Sequence, residues 1–166
     1  MNITRRQWLV TGSLAALGLA TLKIRGIGVP AEAAQVEIFP VSHSEAEWRR
    51  LLTPEQFAVL RQEGTERAFT SPLNSEHRRG TFACAACSQS LFSSATKFDS
   101  GTGWPSFYQP LPHAVLEQPD HSLMMERTAV RCRRCGGHLG HVFDDGPRPT
   151  GLRYCMNGVA MTFQPA

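Results

Sequence analysis

The sequence predicts a small, mainly β domain that begins with two short helices, and three observations carry this prediction. Two helix-start patterns follow one another near residues 44 and 53. From Phe69 onward, Gly, Pro, Ser and aromatic residues become frequent and the apolar runs shorten, which is typical of strands and loops. The 166 residues, 42% hydrophobic and 19% charged, suit one globular domain and exclude a disordered chain.

The N-terminal region is expected to be an export signal. Arg5 and Arg6 precede a mildly apolar run from Trp8 to Leu22, and residues 31–33, Ala-Glu-Ala, fit the small-x-small pattern of a signal-peptidase site. The paired arginines resemble a twin-arginine signal, which predicts a periplasmic or other extracytoplasmic protein. The alternative is an amphipathic N-terminal helix that stays on the mature protein.

The distribution of charge divides the chain into an export segment, residues 1–33, and a functional domain, residues 34–166. The first segment holds four of the 17 basic residues and one of the 14 acidic residues, so the domain has no net charge. A nucleic-acid-binding domain usually carries a basic excess on one face. We therefore expect no nucleic-acid partner.

Two short helices are predicted at the start of the domain. The Ser-Glu-Ala-Glu sequence that begins at Ser44 has the form of a capping box, and this helix should run to about Leu52. The Thr-Pro-Glu-Gln sequence at Thr53 is a second helix start with Pro at the first helical position. Gly64 is expected to end the second helix as its C′ residue.

Four of the five cysteines are predicted to bind one structural zinc ion. Two Cys-x-x-Cys pairs have the same spacing, and two such turns complete a tetrahedral shell. The predicted ligands are Cys84, Cys87, Cys132 and Cys135. Disulfides are the alternative, because an exported protein could form them.

The fifth cysteine, Cys155, is either a buried small hydrophobic residue or a reactive thiol. It lies in the best strand candidate of the sequence, residues 152–163. The period of two in a strand places Arg153, Cys155 and Asn157 on one face. Arg153 would stabilise a thiolate by its charge, and Asn157 could orient a ligand or a base. This pattern favours the reactive thiol.

Two nearby segments offer groups that could act on a substrate. His138 and His141 lie three residues apart in a glycine-rich stretch, and imidazoles can exchange protons near neutral pH. Asp145 belongs to a turn and could orient a histidine or an arginine. Four other histidines are interpreted as solvated side chains, namely His43, His77, His113 and His121.

The loop at residues 99–107 combines two glycines and a proline with two aromatic residues. Trp104 is either a core anchor or an aromatic wall that receives an apolar group beside a reactive thiol. We assign Trp104, Phe107 and Thr102 to substrate binding.

The order of these motifs resembles peptide-methionine (R)-S-oxide reductases, the MsrB family. After the first Cys-x-x-Cys pair come residues 98–107 (Phe-Asp-Ser-Gly-Thr-Gly-Trp-Pro-Ser-Phe), residues 132–147 (Cys-Arg-Arg-Cys-Gly-Gly-His-Leu-Gly-His-Val-Phe-Asp-Asp-Gly-Pro) and residues 151–157 (Gly-Leu-Arg-Tyr-Cys-Met-Asn). The resemblance spans roughly residues 42–163. It implies two antiparallel β-sheets in a barrel-like arrangement, with flanking helices and a zinc ion far from the reaction centre.

The resemblance also implies a reaction, the reduction of the R epimer of methionine sulfoxide, free or within a protein. It makes Cys155 the nucleophile and Trp104 the wall for the substrate methyl group. The residues that it places around the thiol are His138, His141, Asp145, Arg153 and Asn157. In this reaction the thiol becomes a sulfenic acid, which a second thiol must reduce.

One position departs from the family pattern. Many members carry a resolving cysteine where this chain has Thr102, and its other cysteines are assigned to the metal. We therefore expect an external reductant, either a small thiol or a thioredoxin-like protein. The enzyme is expected to be a monomer.

Two functions of other classes stay open at this point. The chain could be an exported zinc-binding redox sensor that oxidises Cys155 without turnover, or a zinc-containing interaction domain. A turnover assay with methionine sulfoxide separates both from the enzyme.

Overall fold

The computed structural model describes residues 38–122 and 125–166, and the predicted export segment lies outside them. Helix α1 spans Glu45–Leu51 and helix α2 spans Pro54–Gln62. Within the described residues, none of the helices is both long enough and apolar enough to cross a membrane.

Both predicted helix starts are confirmed. The Ser44 hydroxyl accepts the N–H of Glu47, and the Glu47 carboxylate accepts the N–H of Ser44 at 2.8 Å. Thr53 and Gln56 form the same reciprocal pair at the start of α2. Caps of this kind contribute about 1 kcal/mol each, which matters for helices this short.

Helix α2 ends beside Gly64, although a different residue takes the left-handed conformation that favours glycine. Glu63 has φ 58°, whereas the N–H of Gly64 donates to the carbonyl of Ala58 at 2.9 Å. A Cβ atom on Gly64 would lie 2.9 Å from that same carbonyl oxygen. Glycine is therefore needed here for close approach of the backbone.

The described strands form two antiparallel sheets, which confirms a mainly β fold. The three-stranded sheet has the order β2-β1-β9, and the six-stranded sheet has the order β3-β4-β8-β7-β6-β5. In chain order the strands are β1 Gly80–Cys84, β2 Ser90–Ser93, β3 Lys97–Phe98, β4 Ser106–Phe107, β5 Val115–Asp120, β6 Arg127–Cys132, β7 His138–Phe143, β8 Arg153–Met156 and β9 Met161–Pro165.

The expectation of a barrel-like arrangement is wrong, because the sheets are not closed into a barrel. Closure requires the two edge strands of a sheet to pair with each other. In the six-stranded sheet, β3 pairs with β4 and β5 pairs with β6, and these edges do not meet within the described residues.

The single strand predicted over residues 152–163 is also wrong, because the structure divides it between the two sheets. Strand β8 ends at Met156, a 3-10 turn covers Gly158–Ala160, and β9 then joins the three-stranded sheet. The side-chain amide of Asn157 donates to the carbonyl of Leu139 at 3.0 Å. This tertiary contact fixes the bend where the alternating pattern alone suggests continuation.

The core lies between the sheets and α2. Phe92 stacks on Phe107 with ring centroids 4.4 Å apart, and Phe82 meets Phe107 edge to face at 4.9 Å. Phe57 and Leu60 of α2 are buried in the same cluster. Burial of each such side chain contributes about 1.5–3 kcal/mol to stability. Strands β4, β7 and β8 pack against this cluster.

Candidate active site and metal centre

The fifth cysteine lies in the middle of the six-stranded sheet. Cys155 on β8 is directly opposite Ser106 on β4 and His141 on β7. Directly opposite residues of antiparallel strands project from the same face, so the His141 imidazole shares a face with the thiol. The sheet thus brings a thiol and an imidazole together.

A cavity of about 150 Å³ opens at this face. Cys155 lines it together with three other residues singled out from the sequence, Trp104, His141 and Asn157. Its other lining residues are Thr65, Arg127, Gly140 and Phe143. An aromatic wall, an imidazole and a thiol around a small cavity suit a compact substrate with one apolar group and one polar group.

The main chain of Glu66 holds two of these side chains in place. The indole N–H of Trp104 donates to the Glu66 carbonyl at 3.1 Å, and the N–H of Glu66 donates to Oδ1 of Asn157 at 2.9 Å. The Glu66 carboxylate accepts the N–H groups of Gly158 and Val159. One residue therefore ties the Trp104 loop to the turn that follows Cys155.

Arg153 and Asp145 form an ion pair at the edge of the site. The guanidinium Nε of Arg153 lies 2.8 Å from the Asp145 carboxylate, and it stacks over the Phe143 ring at 4.4 Å. The hydrogen bond to Asp145 and then the nearby Cys155 sulfur raise the pKa of Arg153. Neither Arg153 nor Asp145 lines the cavity.

The two histidines occupy different positions. His138 is 2% exposed, and burial first, then the neighbouring His141, lower its pKa to about 4. Its ring centroid lies 5.2 Å from that of His141, and it lines a second cavity of about 370 Å³. Neither ring nitrogen of His138 has a hydrogen-bond partner among the described residues. His138 is therefore neutral at pH 7, and His141 is the imidazole beside Cys155.

Sequence reasoning missed Asp120 and Arg127. The Asp120 carboxylate lies 2.8 Å from Nε2 of His141 and 2.7 Å from Arg127. Hydrogen bonds from Ser122 and then from His141 lower the pKa of Asp120, so its charge orients the imidazole. Asp120 stands 21 residues before His141, and no local pattern points to that contact.

The structure separates the other two residues that were assigned to substrate binding. Thr102 contacts the thiol, with its Oγ1 3.7 Å from Sγ of Cys155. Phe107 is fully buried in the aromatic core and does not line the cavity. Phe107 points to the opposite side of β4 from Ser106, because side chains alternate along a strand.

The four cysteines of the two Cys-x-x-Cys pairs come together and could hold a metal ion, with sulfur atoms all within 4.8 Å of one another. Sγ of Cys84 lies 3.8 Å from that of Cys135, and Sγ of Cys87 lies 3.5 Å from that of Cys132. Four thiolates bound tetrahedrally at about 2.3 Å from zinc would be about 3.8 Å apart. The four sulfur donors and their spacing therefore fit one metal ion bound by four cysteine thiolates. None of these cysteines forms a disulfide.

Comparison with known proteins shows the family of this chain. The SelR domain family matches residues 52–165. A peptide methionine sulfoxide reductase MsrB of Leptospira interrogans is 57% identical over 127 residues, which cover 76% of this chain and 97% of that protein. The same-named protein of Agrobacterium fabrum is 56% identical over 126 residues, with 75% and 93% covered, and that of Pseudomonas putida is 58% identical over 120 residues, with 72% and 90% covered. The chain therefore belongs to the SelR-domain family of MsrB proteins.

Proposed function

We propose that this chain reduces the R epimer of methionine sulfoxide, free or in proteins, with Cys155 as the nucleophile. One observation carries the proposal: Cys155, the fifth cysteine, lies in a small cavity between Trp104 and His141. Similarity to proteins named peptide methionine sulfoxide reductase MsrB supports the same reaction.

The proposed chemistry begins with proton transfer. The Nε2–H of His141 donates to Asp120, so in the imidazolium form the second ring nitrogen, Nδ1, carries the proton that passes to the sulfoxide oxygen. Protonation makes the sulfoxide sulfur electrophilic, and the Cys155 thiolate attacks it. The oxygen leaves with Cys155 as a sulfenic acid, and methionine is released.

The proposed substrate orientation depends on Trp104 and Asn157. The indole provides an apolar wall for the methyl group on sulfur, and its N–H is already bonded to Glu66. The side-chain oxygen of Asn157 accepts from the N–H of Glu66, and its NH₂ group donates to the carbonyl of Leu139. These two bonds keep β7 and β8 in register at the cavity. Arg153, fixed by Asp145, adds positive charge near the thiolate.

Recycling is proposed to use an external thiol. One thiol condenses with the sulfenic acid to give a mixed disulfide and water, and a second thiol releases Cys155 as the thiol. Thr102 contacts the sulfur but has no redox chemistry, and the other four cysteines cluster together. The proposed reductant is a small thiol or a thioredoxin-like protein, acting on a monomeric enzyme.

The metal is proposed to be one structural zinc ion, held by Cys84, Cys87, Cys132 and Cys135. A closed Cys₄ shell leaves no position for substrate, so the ion would stabilise the fold. None of these cysteines lines the Cys155 cavity.

We also propose that residues 1–33 direct export by the twin-arginine route. The supporting features are Arg5 and Arg6, the apolar run and the Ala-Glu-Ala sequence that follows. Fusion of residues 1–33 to a folded reporter should place it outside the cytoplasm, and an R5K/R6K double variant should keep it inside. Export of both fusions would contradict this route.

The central test of the proposed function is turnover. Wild-type protein and Cys155→Ser are incubated with separated R and S epimers of methionine sulfoxide, free and in a peptide, with dithiothreitol as reductant. We expect the wild type to consume the R epimer alone and the serine variant to consume neither. Oxidation of Cys155 by peroxide without sulfoxide turnover would favour the redox sensor, and equal use of both epimers would refute the stereochemical assignment.

A further inference from the structure

A chain of three hydroxyl groups leads from the interior of the sheet to the sulfur of Cys155. Ser106 Oγ lies 2.7 Å from Ser100 Oγ, which lies 2.8 Å from Thr102 Oγ1. Thr102 Oγ1 lies 3.7 Å from Cys155 Sγ. At the inner end, the Ser106 hydroxyl donates to the carbonyl of Trp104 at 3.1 Å.

The protons of this chain can point in either direction. With Cys155 as a thiol, S–H can donate to Thr102, Thr102 to Ser100, Ser100 to Ser106, and Ser106 to the Trp104 carbonyl. When the thiol proton passes to water, the three hydroxyls can turn, so that Ser106 donates to Ser100, Ser100 to Thr102, and Thr102 to the thiolate. Each hydroxyl has the one donor and two acceptor sites that this reversal needs.

The hydrogen bond between Thr102 and the Cys155 sulfur differs in strength between the two arrangements. A thiol is a weak donor, whereas a hydrogen bond to an ionised acceptor is about twice as strong as a neutral one. Hydrogen bonds in a chain also polarise one another. The reversal gives up the weak S–H donation and the Ser106 bond to the Trp104 carbonyl, and it gains one charge-assisted bond that is strengthened along the chain, so the chain favours the thiolate.

We propose that Thr102 is a catalytic residue, the last donor of a hydroxyl chain that stabilises the Cys155 thiolate, with Ser100 and Ser106 as positioning residues. This inference rests on the proposed role of Cys155 as the nucleophile. It gives the residue that stands in place of a resolving thiol a function in the first chemical step.

The charged and titratable groups around Cys155 come from three strands. His141 faces it from β7, Arg127 lines the cavity from β6, and Arg153 is near it on β8. The loop and β4 contribute the hydroxyls. All three charged or titratable side chains stay unchanged in the variants below, so their effects cancel in the comparison.

The test measures the alkylation of Cys155 by iodoacetamide from pH 5 to pH 10, followed on the Cys155 peptide by mass spectrometry. We expect Thr102→Val to raise the midpoint of the rate–pH profile by about one unit, which corresponds to the loss of one charge-assisted hydrogen bond of modest strength. Thr102→Ser should restore the midpoint. Ser100→Ala should raise it by about 0.1–0.3 unit, the size expected from cooperative strengthening of about 10–30% per bond.

The matched control is Thr96→Val, which removes a hydroxyl that donates to the main-chain carbonyls of Ser93 and Gln109. It should leave the midpoint unchanged. An unchanged midpoint in Thr102→Val, or equal shifts in Thr102→Val and Thr102→Ser, would overturn the role of the hydroxyl. An unchanged midpoint in Ser100→Ala would overturn the chain beyond Thr102.

Two features keep this test decisive. If Thr102→Val does not fold, Ser100→Ala gives the measurement, because it removes the bridging hydroxyl and leaves Thr102 in place. Alkylation needs no sulfoxide turnover, so a wild type that fails to reduce methionine sulfoxide refutes the proposed function without deciding this inference.

Discussion

Replacement of Thr102 by cysteine should convert the enzyme from external to internal recycling. Thr102 Oγ1 lies 3.7 Å from Cys155 Sγ, and a disulfide requires about 2.05 Å, so a sulfur at this position must move by about 1.7 Å. The prediction therefore requires the loop to shift toward Cys155, and the neighbouring Gly101 lies in open space, where a Cβ would meet nothing within 4 Å.

The gain in recycling follows from effective concentration. A thiol on a short tether acts at an effective concentration on the order of 1 mM or more. Against a protein reductant at about 10 µM, an internal thiol should reach the sulfenic acid on the order of a hundredfold faster. Turnover driven by thioredoxin should rise as far as this step limits the wild type.

The assay is intact mass after one equivalent of methionine sulfoxide, without reductant. Wild type should gain one oxygen atom, and Thr102→Cys should lose two hydrogens that map to a bond between positions 102 and 155. Thr96→Cys is the control and should keep the sulfenic acid. A stable sulfenic acid in Thr102→Cys would refute the geometric reasoning, and a wild-type disulfide between Cys155 and a metal-cluster cysteine would refute the separation of roles.

Three further perturbations test the site and the metal cluster. Cys87→Ala should lose the metal and most of the soluble protein, since structural zinc contributes on the order of 10 kcal/mol, whereas metal analysis of Cys155→Ser should still find one ion per chain. Burial lowers the pKa of His138 to about 4, so as pH falls the unfolded chain binds a proton at this side chain before the folded protein does. The free energy of unfolding should therefore be highest above pH 6.5 and should fall between pH 6.5 and pH 4. Urea unfolding should show roughly 2 kcal/mol of this loss between pH 7 and pH 5, and it should be absent in His138→Gln. Glu66→Gln should lower kcat/KM for the sulfoxide about tenfold or more, because it weakens the carboxylate contacts with the N–H groups of Gly158 and Val159 that fix the turn after Cys155, while Glu47→Gln, which alters a similar backbone contact in α1, should not; equal kinetics in both variants would contradict the positioning role.

The features that the sequence predicted well are those set by residues close together in the chain. The capping boxes at Ser44 and Thr53 depend on a side chain three residues away, and each Cys-x-x-Cys turn depends on four consecutive residues. Cys155 could be singled out because the other four cysteines form two matched pairs. Local spacing carries these features, so no knowledge of the tertiary fold was needed.

The features that the sequence did not predict depend on contacts between distant segments. The bend after Met156 is held by Asn157, which reaches Leu139 18 residues away, and by Glu66, which is 91 residues away. Phe107 follows the site loop directly, yet the alternation of β4 turns it into the core. A single sequence does not show which face of a two-residue strand meets the core.

The four-cysteine cluster and the candidate active site share one hairpin. Cys132 ends β6, the second Cys-x-x-Cys turn follows, and β7 begins at His138 and carries His141 opposite Cys155. The N–H of Cys132 donates to the carbonyl of Gly137, which closes this turn. Cys84 and Cys87 come from the end of β1 and its turn, in the other sheet, so an ion on the four thiolates would link the sheets at the base of the hairpin. An ion held there would therefore fix where β7 places the His141 imidazole opposite Cys155.

The side chain at position 102 can serve one of two chemical roles, and its functional group determines which. A hydroxyl can donate to the thiolate before the sulfoxide binds, whereas a thiol can capture the sulfenic acid after methionine leaves. A cysteine there is a weaker donor, so Thr102→Cys should slow the first chemical step at acidic pH while it speeds recycling. Because the Ser100–Ser106 hydroxyls already reach Thr102, the loop of this chain is arranged for the first of the two roles. In the proposed mechanism, recycling then depends on an outside thiol that reaches Cys155 through the cavity lined by Trp104 and His141.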